Sequence, residues 1–140
     1  MIYLDTSAAV PMFVPEPASD AVDAWYESCV DPLISSDWIV TEFAGALSIK
    51  VRRREIVEKQ AKAAWKDFEV FCRNGLRLVP VSRQAFDAAA RMARDVASGL
   101  RSGDSLHLAM ALEIGAAGLA TADETLAKNA KVAGLVVNQF

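Results

Sequence analysis

The sequence has one histidine and two cysteines in 140 residues, and the cysteines, Cys29 and Cys72, show no metal-ligand or redox spacing. That argues against a soft-metal site. Both thiols are expected to sit reduced in the core of a cytoplasmic protein. No apolar run approaches membrane-spanning length. Asp5 interrupts the apolar start with no basic segment before it, which argues against a secretory signal. There is also no basic excess: 15 Lys and Arg stand against 18 Asp and Glu, a net charge of −3. That excludes indiscriminate nucleic-acid binding through a basic surface, though not a local basic patch. The 7 glycines and 5 prolines are scattered, so no interdomain linker is visible, and there is no repeat or low-complexity segment.

What is present is an apolar fraction of 53% with 24% charge. That composition and length fit one well-packed domain over residues 1–140. Short apolar strands are expected at Ile2–Leu4, Leu33–Ser35, Arg77–Val81, Gly118–Thr121 and Leu135–Val137. Helical periodicity fills the gaps, at Pro17–Cys29, Ile39–Arg54, Glu55–Arg73, Arg83–Val96 and Asp104–Ile114. Strands alternating with helices predict an α/β/α sandwich around a mainly parallel five-stranded sheet. The strands lack polar alternation, as expected when both sheet faces are covered.

Four carboxylates fall in unusual places. Asp5 ends the first strand, where it either caps a helix beginning at Thr6 or holds a cation. Glu42 lies in the otherwise apolar IVTEFAGAL, which leaves little room for an exposed face. Asp104, in LRSGDSLHLAMAL, stands at a helix start where it or Ser102 fits the cap, but the run after it is almost wholly apolar. Asp123 follows the fourth strand within a capping-box pattern, Thr121 as cap and Glu124 three residues on. In parallel α/β folds ligands gather at the carboxyl ends of strands where the strand order reverses, and Asp5 and Asp123 both lie at such ends. Convergence of four acids without a counterion would raise their pKa values, and a hard divalent cation with oxygen ligands, Mg²⁺ or Mn²⁺, removes that difficulty.

The LDTS after the opening strand, the lone Glu in an apolar helix, L-R-x-G-D-x-L-H-L-A and the T-x-D before a short helix together resemble the PIN-domain ribonucleases, most closely the VapC-type toxins of bacterial toxin–antitoxin pairs. The resemblance spans nearly the whole chain. It implies a compact homodimeric α/β/α domain that hydrolyses RNA through metal-activated water, leaving 5′-phosphate and 3′-hydroxyl ends. It also implies that the first and fourth strands are central neighbours, and that Asp5, Glu42, Asp104 and Asp123 form the metal-binding catalytic quartet. Asp5 and Asp104 would be the main direct ligands. Thr6 and Thr121 are implied as supporting hydroxyls. A VapB-type antitoxin is the implied partner, placing a basic side chain in the acidic pocket. His107, one turn after Asp104, is read either as a phosphate contact or as a core or supporting histidine, and is not assigned to catalysis. The basic run Lys50–Glu55 offers Arg52, Arg53 and Arg54 as RNA contacts or as a solvated helix end. Trp38, Trp65 and Phe68 are read as core by default.

Two other strand–Asp chemistries do not fit. An aspartyl-phosphate phosphatase needs a second Asp where Ser7 stands, and the G-x-G-x-x-G of a dinucleotide binder is absent. A PIN domain serving RNA processing, or acting as a silent binding module, is the remaining alternative.

Overall fold

The computed structural model describes every residue from Met1 to Phe140. Five strands form one parallel sheet: β1 (Ile2–Leu4), β2 (Leu33–Ser36), β3 (Arg77–Val79), β4 (Gly118–Thr121) and β5 (Val136–Gln139), in the order β3-β2-β1-β4-β5. The connections carry seven α-helices: α1 (Thr6–Ala9), α2 (Ser19–Ser28), α3 (Trp38–Arg52), α4 (Glu58–Asn74), α5 (Arg83–Arg94), α6 (Ser102–Glu113) and α7 (Glu124–Val132). No helix is long and apolar enough to cross a membrane.

Alternation along the strands divides the core. Tyr3, Ile34 and Leu119 point to one face, where they meet apolar residues of α5, α6 and α7. Leu4, Leu33 and Ala120 point to the other, against α1, α3 and α4. Each face carries its own buried cluster, which is why the strand sequences show no polar alternation. Phe43 of α3 stacks on Phe68 of α4 with centroids 3.9 Å apart, tying those helices together. Phe68 and the half-buried Trp65 thus belong to packing. The thiols of Cys29 and Cys72 are free but only half-buried at the edge of that cluster, not in its core as expected.

β1 is the centre of the sheet. The chain steps outward through β2 to β3, then crosses back to β4 on the other side of β1. The strand order therefore reverses at β1 and β4, whose carboxyl ends open one crevice.

Several boundaries differ from those read in the sequence. The third helix stops at Arg52 rather than Arg54, because Arg54 takes a left-handed φ of 61°. The amide of Glu55 then closes on the carbonyl of Lys50, and that of Arg54 on Val51, the paired closure usually built around glycine. Glu55–Val57 form the turn, so α4 begins at Glu58, with the side chain of Gln60 accepting from the amide of Val57 at 2.9 Å. Pro80 ends β3 at Val79 because it supplies no ladder N–H. α2 begins at Ser19, two residues after Pro17, and α6 at Ser102.

Candidate active site

Asp5 follows the short buried β1 and is 3% exposed. Its charge is met from several directions. Oδ2 accepts from the amide and hydroxyl of Ser7 and from Oγ1 of Thr121 at 2.8 Å; Oδ1 lies 3.3 Å from Nε2 of His107. Asp5 therefore does cap α1, as one reading proposed, and its carboxylate also faces the crevice. Capping and site are not alternatives here.

Thr121 is the last residue of β4 and its hydroxyl is wholly buried. It donates to Asp5 and accepts from the amide of Asp123 at 3.0 Å, joining two of the four acids. It is not the helix cap that the capping-box pattern suggested. Asp123 takes that place, with Oδ1 accepting from the amide of Leu126 at 2.7 Å. Glu124 is exposed and does not line the crevice. Ser7, which the sequence reading passed over, accepts from the amide of Ala122 at 2.8 Å and so fastens the turn after β1 to the turn after β4.

Glu42 is half-buried on α3. Its Oε2 accepts from Thr6 Oγ1 at 2.7 Å and from His107 Nε2 at 2.6 Å. Burial raises its pKa, but the hydrogen bond and charge of His107, with the Thr6 hydroxyl, outweigh burial and lower it overall. Its other oxygen rests against the start of α6, where a Cβ on Gly103 would collide with Oε1. A larger residue there would displace this carboxylate from its place.

His107 is fully buried and cannot touch a phosphate. Nε2 faces Glu42, Asp5 and the hydroxyl of Thr6; Nδ1 meets the hydroxyl of Tyr3 at 3.0 Å, which in turn meets Oγ of Ser36 at 3.0 Å. Burial favours the neutral ring, but the charges of Asp5 and Glu42 and the bond to Glu42 overcome it and push the pKa up to about 10. A charged ring would donate from both nitrogens, to Glu42 on one side and Tyr3 on the other. Asp5, Glu42 and His107 place one ligand-type atom each within 4.8 Å of one another. Both ring nitrogens are already engaged, Nε2 by Glu42 and Nδ1 by Tyr3, so His107 serves here as a partner of the two acids from the buried side.

Asp104 is the third residue of α6 and half-buried. Burial, then the charges of Asp123 and Asp5, push its carboxyl up to about 6. Asp5, Glu42, Asp104 and Asp123 line a single cleft of about 570 Å³, with Thr6 and Ser7 at its floor. The structure thus brings together all four predicted acids and both hydroxyls, Thr121 from beneath. It does not bring in the arginines: Arg52 is exposed and hydrogen-bonds Ser48, Arg53 and Arg54 are exposed, and none of the three lines the cleft.

A parallel five-stranded sheet with an acid-lined crevice between its two central strands defines a class of carboxylate-centred α/β domain. The PIN domain family profile matches residues 2–132. The chain belongs to the PIN domain family. It is 32% identical over 136 residues to Ribonuclease VapC45 of Mycobacterium tuberculosis, covering 96% of this chain and 92% of that protein. Among solved structures it superposes on Mycobacterium tuberculosis VapC20, described as a sarcin–ricin-loop-cleaving toxin, with a TM-score of 0.75 at 14% identity, over 97% of both chains. It also superposes on VapBC2 of Rickettsia felis bound to a fragment of its promoter DNA, with a TM-score of 0.66 at 14% identity over 99% of this chain and 98% of that one. At those identities the two structures speak for the fold.

Proposed function

We propose that this chain is a divalent-metal-dependent endoribonuclease and the toxin of a VapBC-type toxin–antitoxin pair. The observation that carries the reading is the convergence of Asp5, Glu42, Asp104 and Asp123, from four separate segments, on one cleft. The ribonuclease and antitoxin assignments draw on the VapC relatives.

The donor set fits a hard cation. Four carboxylates supply the hard oxygen ligands, and burial followed by the charges of Asp123 and Asp5 raises the pKa of Asp104 among them. His107 balances Asp5 and Glu42 from behind, leaving the cleft side to Mg²⁺ or Mn²⁺. When bound, such a cation polarises a phosphodiester and acidifies water beside it. The chain's own residues fix the ligands. Ser7 and Thr121 hold Oδ2 of Asp5, so the carboxylate turns little. Thr6 and His107 hold Oε2 of Glu42 and leave Oε1 at the start of α6. Asp123 is held by its own helix, and Asp104 stands in the first turn of α6. Asp5 and Asp104 act as the principal ligands, with Glu42 and Asp123 completing the set. No side-chain nucleophile is needed for attack by water. A VapB-type antitoxin silences the site by lying over the cleft and pairing a basic side chain with these acids.

The test is cleavage of RNA by purified protein with Mg²⁺ or Mn²⁺ and with EDTA, repeated on Asp5→Asn and Asp104→Asn. Each variant is expected to lose on the order of a hundredfold or more in rate, as when one charge-stabilising group is removed, with an unchanged circular dichroism spectrum. Turnover in EDTA, or near-normal turnover by Asp5→Asn, overturns the metal site. Binding of RNA without cutting under any metal makes the chain a silent module.

A further inference from the structure

The cleft contains one basic side chain, and it is not one of the three arginines. Lys50 lines the cleft wall together with five acids, Asp5, Glu16, Glu42, Asp104 and Asp123. It stands eight residues after Glu42 on α3, two helical turns or about 12 Å further along the same wall. Gly45 lies between them on that wall, with nothing within 4 Å of where its Cβ would be. Ala46 and Ile49 line the rest of that stretch, so the wall between the inner acids and the lysine carries no other charged side chain.

Lys50 is held rather than loose. Its side chain is 14% exposed and its ammonium pairs with Glu16 and, at 3.1 Å, with Glu55. Glu16 reaches in from the segment before α2 and itself lines the cleft. An RNA strand entering this cleft meets carboxylates throughout. A cation can neutralise the inner group; at the outer end Lys50 is the only group able to do so. Glu16 holds that ammonium with a carboxylate, an anion that an entering phosphate would have to replace.

We propose that Lys50 anchors a backbone phosphate of the RNA flanking the cleaved position at the outer end of the cleft, and that Glu16 is the built-in competitor this phosphate displaces. The inference rests on the ribonuclease reading of the cleft. Lys50 is a positioning residue in it, not a catalytic one. An ammonium suits the exchange because it is a point charge on a flexible stem, able to trade one anion for another without a fixed geometry. Glu55 stays on the lysine during the exchange.

The rival explanation is a staple: Glu16–Lys50 merely ties the loop before α2 to the end of α3. The two separate because both halves of a pair can be removed. Affinity is read by fluorescence anisotropy with a labelled single-stranded oligoribonucleotide, in an Asp104→Asn background that does not cleave, at several salt concentrations. Lys50→Gln should weaken binding about tenfold, the equivalent of one charge-assisted contact. It should also reduce the salt slope by about 0.7 to 1, for one lost phosphate contact. Glu16→Gln should tighten binding a few-fold, and Lys50→Arg should restore most of the loss. In the cleaving protein, Lys50→Gln should raise KM and leave kcat nearly unchanged. A staple predicts that Lys50→Gln and Glu16→Gln act alike, and that outcome, or an unchanged salt slope in Lys50→Gln, overturns the anchor while leaving the ribonuclease intact. RNA that neither binds this background nor is cut by the parent protein overturns the ribonuclease reading and the anchor with it.

Discussion

Replacing His107 by Gln tests whether the buried ring is an internal cation. Gln keeps a donor for Glu42 but carries no charge and cannot serve Tyr3. Asp5 and Glu42 would then face each other across a neutral group, Asp5 with 4% and Glu42 with 26% of its side chain exposed. Removing one partner of a buried ion pair costs about 3–5 kcal/mol. The pH dependence follows from the ring itself. Its folded pKa of about 10 lies above the ordinary 6.5. A group raised in this way contributes stability that is fully present below 6.5 and is lost as pH rises through about 10. Each unit in that window removes about 1.4 kcal/mol. Urea denaturation of both proteins in EDTA should therefore show a gap of about 3–5 kcal/mol at pH 6, shrinking to about 1 kcal/mol at pH 9.5. At the lower pH the melting temperature should drop by roughly 10 °C. A gap below about 1 kcal/mol at pH 6, or one that does not narrow with pH, would show that the ring is an ordinary neutral core histidine.

The raised pKa of Asp104, about 6, predicts that Mn²⁺ binding releases a proton near that pH. Calorimetry in two buffers of different ionisation enthalpy reads the release, and Mn²⁺ affinity should fall below pH 6 as the carboxyl protonates; a buffer-independent heat would contradict it. Gly103→Ala forces a methyl onto Oε1 of Glu42, so RNA cleavage should fall far more than stability, and wild-type kinetics would mean the carboxylate moves aside without consequence. At Asp123, Ala should cost about 1 kcal/mol through the lost cap, whereas Asn, itself a good cap, should keep stability and lose only the charge. Thermal melts and rates on the two variants together separate the roles.

The sheet and the four acids were legible because they rest on local rules. An apolar tripeptide followed by Asp, or a Glu in an otherwise apolar helix, is improbable without a site, and parallel α/β topology sends strand ends to one crevice. What the local rules could not show was pairing across the chain. LHLAMAL reads as core whatever His107 does, because its partners Tyr3, Thr6 and Glu42 lie far away in sequence. The pattern at Thr121 is a true capping box by spacing. It fails because Thr121 is still in β4, where its hydroxyl is taken by Asp5 and the cap passes to Asp123. The basic run was noticed for its arginines, yet the left-handed turn at Arg54 ends the helix and leaves all three exposed, while Lys50 alone faces the cleft. That distinction depends on where a helix stops, which is among the least readable features of a sequence.

The central place of β1 has a consequence for the moment of synthesis. Asp5 leaves the ribosome early, yet Thr121, whose hydroxyl fixes its carboxylate, follows 116 positions later. Until β4 has emerged, β1 lacks the neighbour on one side and Asp5 lacks both Thr121 and Asp123. Chains fold from the amino end as they are made, but here the early strand waits for a late one. A polypeptide still being synthesised therefore has not yet assembled the acidic cleft. The order of the strands delays activity until translation of the domain is nearly done.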